Sequence, residues 1–110
     1  MLAVQVHQPG PPQTHALAEV PDLVPGHGEV VIDVKASAVN YPDLLVVIAR
    51  YQTIPPLPFT PGKDGAGIVR AVGSGVSQVK PGDPLLIHVE YGAWGTQACA
   101  RAGQCLPLPA

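Results

Sequence analysis

The sequence predicts a mainly β domain: a partly open barrel of short strands with one or two short helices. Three observations carry that prediction. Apolar and polar residues alternate over several short runs, which is the period of a half-buried strand. The 14 prolines and 12 glycines among 110 residues punctuate the chain too often for a helical bundle. A single stretch, opening at Asn40, carries helix-start signals instead. At this length one domain with its own core is expected over residues 1–110.

Taken in order, Leu2, Val4 and Val6 are expected on one face of a first strand, with Gln5 and His7 on the other. "PGPP" at residues 9–12 breaks it. "HALAEV", from His15 to Val20, reads as a second strand that pairs with the first. "EVVIDVKASAV", from Glu29 to Val39, is the strongest strand. It puts Val30, Ile32, Val34, Ala36 and Ala38 on one side and Asp33, Lys35 and Ser37 on the other, which fits a sheet with one buried face.

The period changes at Asn40, where "NYPDLLVVIARY" suits a short helix. Asn40 is a good N-cap, Pro42 suits the first turn, and Asp43 stands where a capping box places an acid. That acid also suits the helix dipole, while the β-branched Val46, Val47 and Ile48 oppose the helix. "TIPPLPFTPG" is irregular, because its four prolines remove backbone donors. "GAGIVRAV" returns to strand, "GSG" turns, and "VKPGDPLLIHV" reads as a turn at Pro81 to Asp83 followed by a strand. "GAWGTQACA" and "GQCLPLP" are two last extended pieces.

Composition excludes several classes. Only 13% of residues are charged, net charge is −2, and the 6 Lys and Arg are scattered, so no electrostatic footprint for nucleic acid exists. No run approaches a membrane span and the N-terminus has no basic n-region, so a soluble cytoplasmic chain is expected. Cys99 and Cys105 match no common paired-cysteine zinc signature and read as reduced thiols packed as small hydrophobes, with a disulfide between them the alternative that geometry decides.

"YQTIPPLPFTPGKDGAGIVRAVGSGVSQVKPGD" closely resembles the zinc-free quinone oxidoreductases of the medium-chain dehydrogenase/reductase superfamily. The resemblance runs over essentially the whole chain, and "NYPDLL", "PPLPFTPG", "GAGIV" and "VKPGD" are its most specific pieces. It implies a chaperonin-10 (GroES)-like catalytic barrel of the alcohol dehydrogenase type. In the family this barrel precedes a Rossmann domain that binds NADPH. The chain stops about where the family crosses into that second domain, which is therefore expected to be absent here. Neither glycine pair replaces it. Gly65-Ala66-Gly67 has Arg70, and Gly73-Ser74-Gly75 has Gln78, where a dinucleotide fingerprint needs its third glycine. These glycines read as turn or close-packing positions.

Zinc-using relatives carry a Cys where this chain has Asn40 and a His-Glu pair where it has Lys63-Asp64. Amide and ammonium groups are poor substitutes for such ligands, so no metal is expected. His7, His15, His27 and His88 are dispersed without ligand spacing. What the resemblance implies is hydride transfer from NADPH to an acceptor already electrophilic, a quinone or an α,β-unsaturated carbonyl. It implies Asn40 and Tyr51 as catalytic: Asn40 would hydrogen-bond the substrate oxygen or the nicotinamide ribose, and Tyr51 would offer its hydroxyl to a quinone oxygen. Tyr41 and Asp43 would line the substrate site, and Lys63, with Asn40, would face the cofactor.

Each residue has a plainer role: a helix cap for Asn40, a rim aromatic for Tyr41 and Tyr51, helix capping for Asp43 and solvent exposure for Lys63. Phe59 and Trp94 read as packing residues. Losing a second domain exposes an old interface, so a homodimer or a separate Rossmann-domain partner is an expected cover. A non-enzymatic chaperonin-10-like assembly module and an inert folded remnant are the rival readings.

Overall fold

The computed structural model describes residues 1–50 and 54–109. Strand β1 (Leu2–Gln5) pairs antiparallel with β2 (Ala16–Glu19), Leu2 opposite Glu19 and Gln5 opposite Ala16. A 3-10 turn at Pro12–Thr14 lies between them. The remaining strands form one five-stranded antiparallel sheet in the order β6-β3-β4-β5-β7. They are β3 (Glu29–Ser37), β4 (Asp64–Val72), β5 (Pro84–His88), β6 (Gln97–Arg101) and β7 (Cys105–Pro107).

β3 and β4, of 9 residues each, are the spine of this sheet. Their pairing shifts register between Val31 and Ile32 and again between Val34 and Ala36. Such irregularities bend strands and increase twist, so the sheet curls. β6 and β7 lie at opposite ends of the strand order, yet only the 3-10 turn Ala102–Gln104 joins them. Three residues reach roughly 10 Å, so the two edges come close and the sheet is a curled half-barrel.

The barrel is filled by Val30, Ile32, Val69, Val79, Leu85, Ile87, Val89, Ala93, Ala98 and Ala100. β4 and β5 alternate as half-buried strands should, with Gly65, Gly67 and Val69 buried on one and Leu85 and Ile87 on the other. Gly67 is required by close approach: a Cβ there would collide with the backbone carbonyl of Asp33 across the pair. Gly73 is held in the same way against the Gly26 carbonyl, and Gly75 turns with φ +81°. These are the close-packing and turn roles expected of them.

The helix expected at Asn40 is α1 (Tyr41–Val47). Its N-cap Asn40 is extended, and the Asn40 N–H donates to Asp43 Oδ2 at 2.8 Å. Val46 and Val47 turn inward and pack with Val6 and Phe59 in a second, smaller cluster, against which Ile48 and Trp94 rest. Burial thus outweighs the modest helix penalty of β-branched residues. Phe59 also meets Tyr91 edge-on, ring centroids 6.4 Å apart, and Trp94 Nε1 donates to the Ala38 carbonyl at 3.0 Å. Both aromatics are packing residues.

Two expectations are corrected. In β1 the buried residue is Ala3, while Leu2 is 47% exposed. Ala3 bridges to Gly95 and Val6 to Phe59, so Val6 is buried as expected, while Ala3 takes the inward place expected of Leu2 and Val4. In β3 the single buried face does not hold. Val30, Val31 and Ile32 are all fully buried, whereas Ala36 and Ala38 are exposed. β3 is covered on both faces at its start and leaves the core as it runs toward α1.

Candidate functional site

The end of β3, the start of α1 and the ends of β4 and β5 meet at one mouth of the barrel. Asp64, first residue of β4, sits directly opposite His88, last residue of β5. Cross-strand partners present their side chains on the same face, so the two groups meet. His88 Nδ1 donates to Asp64 Oδ1 at 2.6 Å. Asn40 Nδ2 donates to the other oxygen, Asp64 Oδ2, at 2.7 Å. One carboxylate therefore ties the helix N-cap to the far strand. Beside it, Lys63 Nζ donates to the Glu90 carbonyl at 2.9 Å.

Two clefts meet at this network. One of about 590 Å³ is lined by the polar residues Asn40, Lys63, Asp64, His88 and Glu90 together with Pro42 and Val89. A largely apolar one of about 500 Å³ is lined by Ala36, Ala38, Leu86, Ile87 and Leu106, with Ser37 the hydroxyl in its wall. Asp64, His88 and Gln104 line both. Leu86 and Leu106 are 39% and 62% exposed, so the apolar wall is open at the surface.

The structure thus brings Asn40 and Lys63 together and adds Asp64, His88 and Gln104. Tyr41 stands 73% exposed on the outside of α1 and lines neither cleft. Asp43 is 1% exposed, beneath the helix start. Its Oδ2 caps Asn40, while its Oδ1 is buried without a hydrogen-bond partner among the described residues. Tyr51 lies outside the described residues. Sequence reading set His88 among the dispersed histidines. The available signal was that His88 ends a strand and Asp64 begins one, and only their pairing joins them.

The donor set can be tested against a metal. Both Asp64 oxygens already accept hydrogen bonds, from Asn40 and His88, and beside this one carboxylate and one imidazole stand an amide and an ammonium. This does not fit a zinc site, which wants three protein thiolate, imidazole or carboxylate ligands free to bind. Among the described residues, no group of three or more His, Cys, Asp and Glu is placed to hold a metal ion. All strand pairs among the described residues are antiparallel, so they contain no βαβ unit.

The cysteines are elsewhere and unpaired in a disulfide. Burial, with Glu29 nearby, pushes the Cys99 thiol up to about 11, and burial raises Cys105 as well. Both stay protonated at neutral pH and are poor nucleophiles. Among the described residues, no helix is long and apolar enough to cross a membrane.

Comparison with known proteins gives this geometry a context. Residues 26–110 match the family model described as the alcohol dehydrogenase GroES-like domain. The synaptic vesicle membrane protein VAT-1 homolog of Rattus norvegicus is 40% identical over 85 residues, covering 77% of this chain and 21% of that protein. Among solved structures, the human VAT-1 homolog-like protein superposes with a TM-score of 0.93 at 31% identity, over 99% of this chain and 35% of the other. The Escherichia coli quinone oxidoreductase, solved with NADPH, superposes with a TM-score of 0.86 at 29% identity, over 99% of this chain and 33% of the other. The chain thus spans about a third or less of the length of these relatives.

Proposed function

The chain belongs to the alcohol dehydrogenase GroES-like domain family, and from that premise we propose that it forms the substrate side of an NADPH-dependent oxidoreductase. The acceptor is a quinone or an α,β-unsaturated carbonyl, and no zinc takes part. The observation that carries this reading is the polar network of Asn40, Asp64 and His88 at the edge of an apolar cleft. A conjugated ring suits the Leu86, Ile87 and Leu106 wall, and its oxygen would lie toward the polar junction. The NADPH complex of the E. coli relative supports that cofactor.

NADPH supplies the hydride in this reaction. Its dinucleotide is held by a nucleotide-binding domain that packs beside this one, on the same or on another polypeptide. What this chain contributes is placement. The apolar wall orients the acceptor and excludes water, and Asn40, fixed by Asp64, presents a hydrogen-bonding amide at the mouth. Asp43 acts by holding the Asn40 backbone, beneath the substrate surface. Tyr51, Tyr41 and Lys63 are retained as rim groups that meet acceptor or cofactor once the opposite wall is in place. The working location is the cytoplasm, and the exposed face pairs with a nucleotide-binding domain or a second copy.

The test is NADPH oxidation with a small quinone. The 110-residue chain alone is expected to oxidise NADPH no faster than buffer, and fusion to a relative's nucleotide-binding domain is expected to give turnover that falls in Asn40→Ala. Sustained turnover by the chain alone contradicts the reading, as does a fused protein that reduces no quinone or enone.

A further inference from the structure

Within the cleft just assigned, and resting on that assignment, we propose that His88 is the group that binds the acceptor's oxygen. The ligand class is a conjugated carbonyl compound or the oxyanion it becomes on taking the hydride from NADPH, a phenolate from a quinone or an enolate from an enone.

The geometry carries this in four steps. First, a carboxylate accepts and does not donate, so His88 Nδ1 carries the proton in its 2.6 Å bond to Asp64. That fixes the ring and leaves Nε2 as the working atom. Second, Nε2 does not face a buried partner: the His88 side chain is 78% exposed, while Asp64 is 42% exposed. Third, Asp64 is itself held, its second oxygen taking the Asn40 amide at 2.7 Å. The imidazole is therefore oriented by a carboxylate that cannot easily swing away, the arrangement that positions a histidine in many polar sites. Fourth, His88 borders both clefts, so a flat ring against Leu86 and Leu106 brings its oxygen to the imidazole edge.

The imidazole suits both forms of the ligand. As imidazolium, His88 donates from Nε2 to a carbonyl or phenolate oxygen. As neutral imidazole with Nδ1–H on Asp64, it accepts from a phenol hydroxyl. The charged groups that surround it are Asp64 on β4, Lys63 just before that strand and Glu90 beyond β5. Asp64 and Lys63 have opposite effects on an oxyanion, and Asp64 is the one in contact. Gln104 closes the junction from the turn between β6 and β7, its Oε1 held by the Arg101 N–H at 2.9 Å.

The experiment titrates the 110-residue chain with 4-nitrophenol, whose absorbance separates phenol from phenolate, while NMR follows the histidine rings and the leucine methyls. The expected result is a shift of the His88 ring together with the Leu86 and Leu106 methyls. In His88→Ala, affinity for the phenolate is expected to fall about fivefold, the upper end of what one solvent-exposed ion pair contributes. Asp64→Asn is expected to weaken binding as well, while the ring signals of His7, His15 and His27 stay still. Leu106→Asp, which blocks the apolar wall, removes binding. If the methyls shift and Leu106→Asp abolishes binding but His88→Ala changes nothing, the assignment of His88 falls and the cleft stands. If neither methyls nor ring respond up to the solubility limit, the cleft and His88 fall together.

Discussion

The barrel interior and the lip formed by α1 are built on different terms. The interior is one continuous apolar cluster drawn from β3, β4, β5, β6 and the loops between them, anchored by Ile32 and Leu85 at 0% exposure. The lip is a small cluster, Val6, Val46, Val47 and Phe59, that shares its space with a buried carboxylate. The interior spends its sequence on packing. The lip gives up apolar area to hold Asn40 at a fixed place, through Asp43 from below and Asp64 from the side. The interior is closed by its own apolar residues, whereas the cleft wall at its mouth, Leu86 and Leu106, is open at the surface.

That contrast sets the size of each expected effect. Ile32→Ala, in the interior, is expected to cost about 2–5 kcal/mol, read as the loss of urea midpoint at constant m-value. Val47→Ala, in the lip, is expected to cost about 2 kcal/mol and to leave β3 and β4 amide protection nearly intact. Equal loss of protection in both regions would merge the two. Asp43→Ala follows at about 1 kcal/mol: the cap to Asn40 is lost, but so is the burden of a buried, unpartnered Oδ1. A cost as large as that of Ile32→Ala would mean that Asp43 holds more than the Asn40 backbone.

A pH scan sharpens the comparison from the other side. Cys99, on β6, is raised by burial from 9.0 to about 11. The folded chain keeps a proton that the unfolded chain releases, so this contribution to stability is full below about pH 9 and is lost as pH rises toward 11. Cys99→Val is expected to flatten that alkaline decline. A decline of unchanged slope would show the thiol already ionised in the native state. The smallest effect is expected at Lys80→Ala, which removes an exposed pair with Asp83. Its stability change is expected to stay within about 0.5 kcal/mol.

Much of this architecture is legible in the sequence because its determinants are local. Pro42 and Asp43 after Asn40 mark the helix, and the Pro81 to Asp83 turn opens β5. The glycine pairs fail the dinucleotide spacing for a reason the fold makes plain: Gly67 and Gly73 are there to let backbones pass. The resemblance agrees with the partly open barrel that the short strands and their turns already predict. What the sequence hides is set by distant contacts. Ala3 rather than Leu2 is buried because Gly95 sits against it, and Val31 is buried despite lying out of phase with Val30 and Ile32. The Asp64–His88 pair spans 24 positions and exists only through strand register, so no spacing rule announces it.

The central claim is that this chain supplies one wall of a redox cleft while the reductant is held elsewhere. A fluorescence titration of the 110-residue chain with NADPH tests it most directly. The account predicts no saturable change in nicotinamide emission across the range in which nucleotide-binding reductases saturate. A one-to-one isotherm with micromolar affinity would contradict it, because the strands described here would then have to contain a dinucleotide site of their own.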